Sequence, residues 1–226
     1  MSENKDQWCF AWYEGEDGSQ TRAALEKSSK WPRGSVIKVG FLDGTPQQQA
    51  LVKQYAVGWV GPGFANLKLS WSPPDEADIR ISFAYSGSWS VLGTTCKRVP
   101  KNQPTMNFGW LTPTVTAAEA RRVILHEFGH ALGLIHEHQN PVDSIAWNKP
   151  AVYADLSGPP NNWDQDKIDH NMFATYAPQE IEGAKLDRKS IMMYPIPASW
   201  VTDGKTAGLN ADLSDADKAF IKKAYP

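Results

Sequence analysis

Apolar residues recur along this chain first with a period of two and then with a period near 3.6. The run SVIKVGF from Ser35 is rich in β-branched residues and ends at the turn signal Asp43-Gly44, which predicts a strand. A helix should follow: Thr45 suits an N-cap, Pro46 the first helical position and Gln48 the far side of a capping box. Leu51, Tyr55 and Trp59 then recur at i, i+4 and i+8, up to the breaker Gly61-Pro62-Gly63. NLKLSW at 66–71 and DIRISFA at 78–84 read as further strands. In the latter, Ile79, Ile81 and Phe83 alternate with Arg80 and Ser82, predicting one buried and one wetter face. The segment 87–93, GSWSVLG, is bounded by glycines and reads as an edge strand or its approach. Thr116 and Glu119 give a second capping-box pattern, and Ile124, Leu125, Phe128 and Leu132 form an apolar stripe down to Gly133, which predicts a helix. Beyond Pro141 the chain is rich in Pro, Asn, Asp and Gly, with short helical patches such as 164–172. A last helix opens at Ser214 with Asp217 three residues on and Phe220, Ile221 and Ala224 as its apolar side. Residues 1–30 are polar and show no sustained period, so they read as an extension lying on the domain.

Charge changes this picture little. With 23 Lys+Arg against 25 Asp+Glu the net charge is -2, which argues against a nucleic-acid binder. Mean hydropathy is -0.47 and the longest apolar runs are a few residues, so no membrane span is expected. The N-terminus MSENKDQWCF shows no secretory signal. Two cysteines, Cys9 and Cys96, allow at most one disulfide, so the core must come from packing.

Histidine changes it most. His126, His130, His136 and His138 fall within the string HEFGHALGLIHEH. Residues four apart on a helix lie about 40° apart around its axis, so the imidazoles of His126 and His130 converge on one point. Glu127 sits about 100° round from His126, where it would reach a metal-bound water as general base. Gly133 can end the helix in a left-handed cap, after which the chain bends back and His136 returns as a third nitrogen ligand. Three imidazoles with a fourth position left for water is the arrangement of a catalytic Zn²⁺. HExxH alone should arise by chance in on the order of one in a hundred chains this long; the glycine and third histidine lower that to on the order of one in 10⁵. His138 falls outside the ligand spacing and is assigned an ordinary polar role.

These residues resemble a family. HEFGHALGLIH matches the extended zinc signature of the metzincin metalloproteases, and SIMMY at 190–194 is similar to the methionine turn of their astacin branch. The order of elements matches that branch over roughly residues 31–226. The resemblance implies an α+β metzincin (zincin) fold: a twisted mixed sheet with two long helices in an N-terminal subdomain (about 31–136), an active-site cleft, and an irregular C-terminal subdomain (about 137–226) ending in a helix. It implies that Met192 forms a hydrophobic floor beneath one catalytic zinc ion. It implies that Tyr194 reaches the metal or the reaction oxyanion. By the same resemblance, Ser88, Trp89, Ser90 and Val91 belong to an edge strand that pairs with an extended peptide. Met193 stands where the astacin turn usually has histidine, and Ser88 where a cysteine is expected, so the chain resembles a divergent relative without the family disulfides. Glu137 matches the glutamate that in mature astacins helps bury a processed N-terminus.

The expectation is a zinc endopeptidase acting as a monomer on a peptide or protein substrate. The alternatives are a zinc-dependent peptide-binding or inhibitory module without turnover, and a hydrolase of another amide. The family is mostly secreted, while this sequence shows no signal. Cys9 has three readings: a thiolate latch on the open metal position that makes residues 1–30 a pro-like segment, a bridge to Cys96, or a free thiol.

Overall fold

The computed structural model describes residues 10–12, 29–141, 143–159, 161–175 and 185–226. Among these residues six strands form one sheet: β1 (Phe10–Trp12), β2 (Val36–Phe41), β3 (Lys68–Trp71), β4 (Ile79–Ser82), β5 (Ser88–Val91) and β6 (Met106–Phe108), in the order β1-β5-β6-β4-β2-β3. Neighbours run parallel except β5 and β6, so the sheet is mixed, as expected. Two strands were not foreseen. β1 and β6 have three residues each, too short to show a period of two, and it is their partners that make them strands. β1 belongs to the extension and lies outside β5, with Phe10, Ala11 and Trp12 opposite Trp89, Ser90 and Val91.

β4 departs from the expected wet face. Arg80 is fully buried, as is Ser82. The guanidinium of Arg80 donates to the carbonyls of Gln103 (2.8 Å), Val99 (3.0 Å), Asp78 (3.2 Å) and Ala77 (3.3 Å), and thereby pins the loop that leads from β5 to β6. Ser82 donates to Asp43. Alternation identified two faces; it could not show that a loop covers the polar one.

Helix α1 (Pro46–Ala56) begins with the predicted reciprocal box between Thr45 and Gln48. Helix α2 (Ala117–Ala131) begins at Thr116, whose side chain accepts from the Glu119 N–H, but the reciprocal half is missing because the Glu119 carboxylate instead takes two bonds from Arg122. A helix the sequence reading missed, α3 (Lys149–Ser157), carries Val152 and Leu156 inward. After it come α4 (Gln165–Ile168), which continues as a wider turn to Phe173, and α5 (Asp215–Ala224), whose Ser214/Asp217 box is complete.

Two apolar cores result. The larger joins the sheet to α1 and α2; the smaller is built from α3, the 165–173 turn and residues 193–207. α5 does not belong with the smaller one: Ile221, Ala224 and Tyr225 pack into the larger core, so the last helix returns to the N-terminal part of the domain. Both ends of the domain meet at the end of α2. The Trp31 indole donates to Ala131 O (2.8 Å) and the Tyr225 hydroxyl to Leu132 O (2.6 Å), satisfying carbonyls that a helix end leaves open.

Candidate metal centre

Helix α2 ends as the glycine predicted. Gly133 has φ of 95°, its N–H donates to His130 O (2.8 Å), and Leu134 N–H donates to Gly129 O (2.9 Å), the two bonds of a Schellman cap. The reversed chain brings His136 back over the helix. His136 Nε2 lies 3.3 Å from His126 Nε2 and 3.1 Å from His130 Nε2, all three rings buried. The Nδ1 nitrogens of the two helical histidines are committed: Nδ1–H of His126 donates to Ile191 O and that of His130 to Leu134 O, each at 2.8 Å. Both rings therefore hold their protons on Nδ1 and aim bare Nε2 lone pairs at the shared point. Lone pairs gathered this closely repel one another unless a cation lies among them, and neutral imidazoles with oriented Nδ1–H groups are what zinc selects. The residues fit the metal.

Burial pushes all four histidines down from their ordinary pKa. His130 and His138 fall to about 4, and His126 and His136 fall well below the ordinary value, with their histidine neighbours adding to the effect. A base whose folded pKa is depressed binds fewer protons folded than unfolded, so its stability contribution is present above pH 6.5 and is lost as pH falls toward 4. Burial raises Glu137 to about 7 and raises Asp217 as well, and both carboxyls act in the opposite sense to the histidines, but that is two groups against four. We expect the metal-free protein to be less stable at pH 5 than at pH 7.5, by about 2 kcal/mol for each of His130 and His138 before the offset from the two carboxyls. Urea midpoints at the two pH values measure this; a flat or inverted profile would contradict neutral, buried histidines.

Around the three nitrogens stand the other expected residues. Glu127 is fully buried on α2 beside His126. Met192 is buried below the helix, and its sulfur occupies the space a Cβ on Gly129 would need, which accounts for glycine between the two helical ligands. The Tyr194 ring centroid is 4.3 Å from that of His136 and 4.6 Å from that of His138. His138 does more than the polar role assigned to it: Nε2 bonds Asn171 O (2.8 Å), and its ring stacks on Tyr194 at 25°. Sequence reasoning also missed the carbonyls of Ile191 and Leu134, because main-chain acceptors leave no mark in residue identity.

The strand expected to receive substrate is only partly as foreseen. The side chains of Ser88, Ser90 and Val91 are buried, and Trp89 is half-buried edge-on to Tyr85. The outer edge of β5 carries β1. Cys9 lies outside the described residues. Cys96 is a free thiol in the larger core, with burial pushing its pKa up to about 12. Among the described residues no helix is long and apolar enough to cross a membrane.

Set beside solved structures, this arrangement has relatives. One structure of myroilysin is 43% identical with a TM-score of 0.86, over 91% of this chain and 98% of that one. A second is 39% identical with a TM-score of 0.68, over 99% and 93%. High choriolytic enzyme 1, a hatching-enzyme zinc-protease from the medaka fish Oryzias latipes, shares the fold at 16% identity and a TM-score of 0.56, over 86% and 92%. No family model matches this sequence, and no curated protein does. The α+β fold, the three-histidine centre and the likeness to myroilysin place the chain in the metzincin metalloproteases.

Proposed function

We propose that the chain is an astacin-like endopeptidase using a single catalytic zinc ion on peptide or protein substrates as a monomer. The observation that carries this is the meeting of three buried imidazole nitrogens, with a glutamate beside the first of them on the same helix. His126, His130 and His136 would hold the ion; when bound, it supplies Lewis acidity, lowering the pKa of coordinated water and polarising a carbonyl. Glu127 takes the proton of the attacking water on its carboxylate and returns it to the leaving amine. The Tyr194 hydroxyl donates to the developing oxyanion, its ring steadied between His136 and His138. The main chain of β5 aligns an extended substrate by strand addition, and Trp89 walls the adjoining subsite.

On this reading the extension, residues 1–30, keeps the enzyme latent. β1 takes the β5 edge that a substrate needs, and Cys9, which immediately precedes β1 in sequence, would supply the latching thiolate. A chain beginning at Ser29 should cleave internally quenched peptides at least about tenfold faster than the full chain, since strand addition supplies much of such a substrate's binding. Chelation should stop it. Mass spectrometry of the products places the cut bonds: internal cuts support an endopeptidase, whereas peptides left whole by the zinc-loaded truncated chain would make it a binding module.

A further inference from the structure

Asp217 sits at the start of α5, far in sequence from the histidines, yet it is one end of a hydrogen-bond chain whose other end is His126. The chain runs through a single peptide unit. His126 Nδ1–H donates to Ile191 O (2.8 Å); the N–H of the same peptide, that of Met192, donates to Ser190 Oγ (3.0 Å); and the Ser190 hydroxyl donates to Asp217 Oδ1 (2.6 Å). Oδ2 accepts from Ile191 N–H (2.8 Å) and Ser214 N–H (2.9 Å). All of Asp217's partners are donors, so the site is built for a carboxylate, and the residue is 5% exposed. Capping α5 requires only the Ser214 contact. The bonds to Ser190 and Ile191 have no role in the helix cap.

We propose that Asp217 is a positioning residue for the metal ligand His126. Its charge draws the Ser190 proton, which makes Ser190 Oγ a better acceptor for Met192 N–H. That polarises the 191–192 peptide and makes Ile191 O a stronger acceptor for the imidazole. The effect is to hold His126 in its Nδ1–H form, fix its ring plane and raise the basicity of Nε2, as a direct carboxylate partner does for other metal-bound histidines. The second bond, to Ile191 N–H, keeps the turn from rotating away. Metal affinity at α2 is thereby coupled to the seating of α5.

This role rests on the zinc reading of the site, and the test separates the two. Zinc dissociation constants are measured by chelator competition on the full chain for the parent and for D217N, S190A and S214A, beside thermal midpoints of the metal-free forms. S190A breaks the chain without touching the carboxylate. S214A removes the helix cap's hydroxyl and leaves the chain intact. D217N and S190A should weaken zinc about 10- to 100-fold, the range for such outer partners, while S214A lowers the midpoint and leaves affinity unchanged. In the metal-free parent, the ring N–H of His126 should appear in nitrogen-15 spectra as a slowly exchanging Nδ1 proton, and S190A should shift it. Parent-like affinity in both S190A and D217N overturns the proposal, as does an S214A loss that follows stability in the same way. A parent that binds no zinc would overturn the reading of the site instead.

Discussion

Substituting alanine for Glu127 is expected to lower the rate of peptide cleavage by about 10²–10⁴-fold, the range for losing a general acid-base group, while zinc stays bound. That corresponds to about 3–5 kcal/mol of barrier. The Nδ1 groups of His126 and His130 are held by the carbonyls of Ile191 and Leu134, so metal content and thermal midpoint should change little. The comparison is made in the chain beginning at Ser29, with kcat/KM on a quenched peptide and metal by atomic absorption. Undiminished turnover with full zinc would remove Glu127 from the mechanism; lost zinc would make it a structural residue. E127Q, nearly the same shape, should fall as far as E127A, because the amide cannot take the proton.

The second large effect lies away from the metal. Arg80→Met should destabilise the fold by about 3–5 kcal/mol, since it strips partners from buried carbonyls that no methionine can satisfy. Val99 O and Ala77 O are the acceptors most open to this loss, because their bonds to the guanidinium are buried. R80K keeps the charge but has three donors on one nitrogen in place of a planar fork, so it should recover only part. Urea unfolding of the three proteins measures it. Proteolysis should also begin within 95–105, the segment the arginine pins. A loss below about 1 kcal/mol in R80M would show that water replaces the guanidinium at no cost.

Arg80 also shows where the sequence stops being informative. Its place in the IRISF alternation reads as a wet face, since period-two patterns report orientation and not what lies on the other side. Features decided within a few residues were legible: the boxes at Thr45 and Ser214, the left-handed Gly133, and the histidine spacing by which one helix and one return of the chain bring three ring nitrogens together. Glu119 shows the limit even there, because Arg122 competes for its carboxylate and leaves the cap half made. Met192 and Tyr194 were visible through family resemblance alone; no local pattern distinguishes them from core residues. β1, β6 and the second set of bonds at Asp217 depend on partners tens of residues or more away, and nothing in their own segments announces them.

The meeting of Trp31 and Tyr225 on the last turn of α2 gives the domain a mechanical property. The two side chains grip neighbouring carbonyls, and the main-chain N–H of Trp31 also contacts the Tyr225 hydroxyl. Tension applied between Trp31 and the C-terminal end would load the end of the helix that carries His126 and His130, so a pull on that indole is transmitted within a few bonds to the turn that sets the third ligand in place.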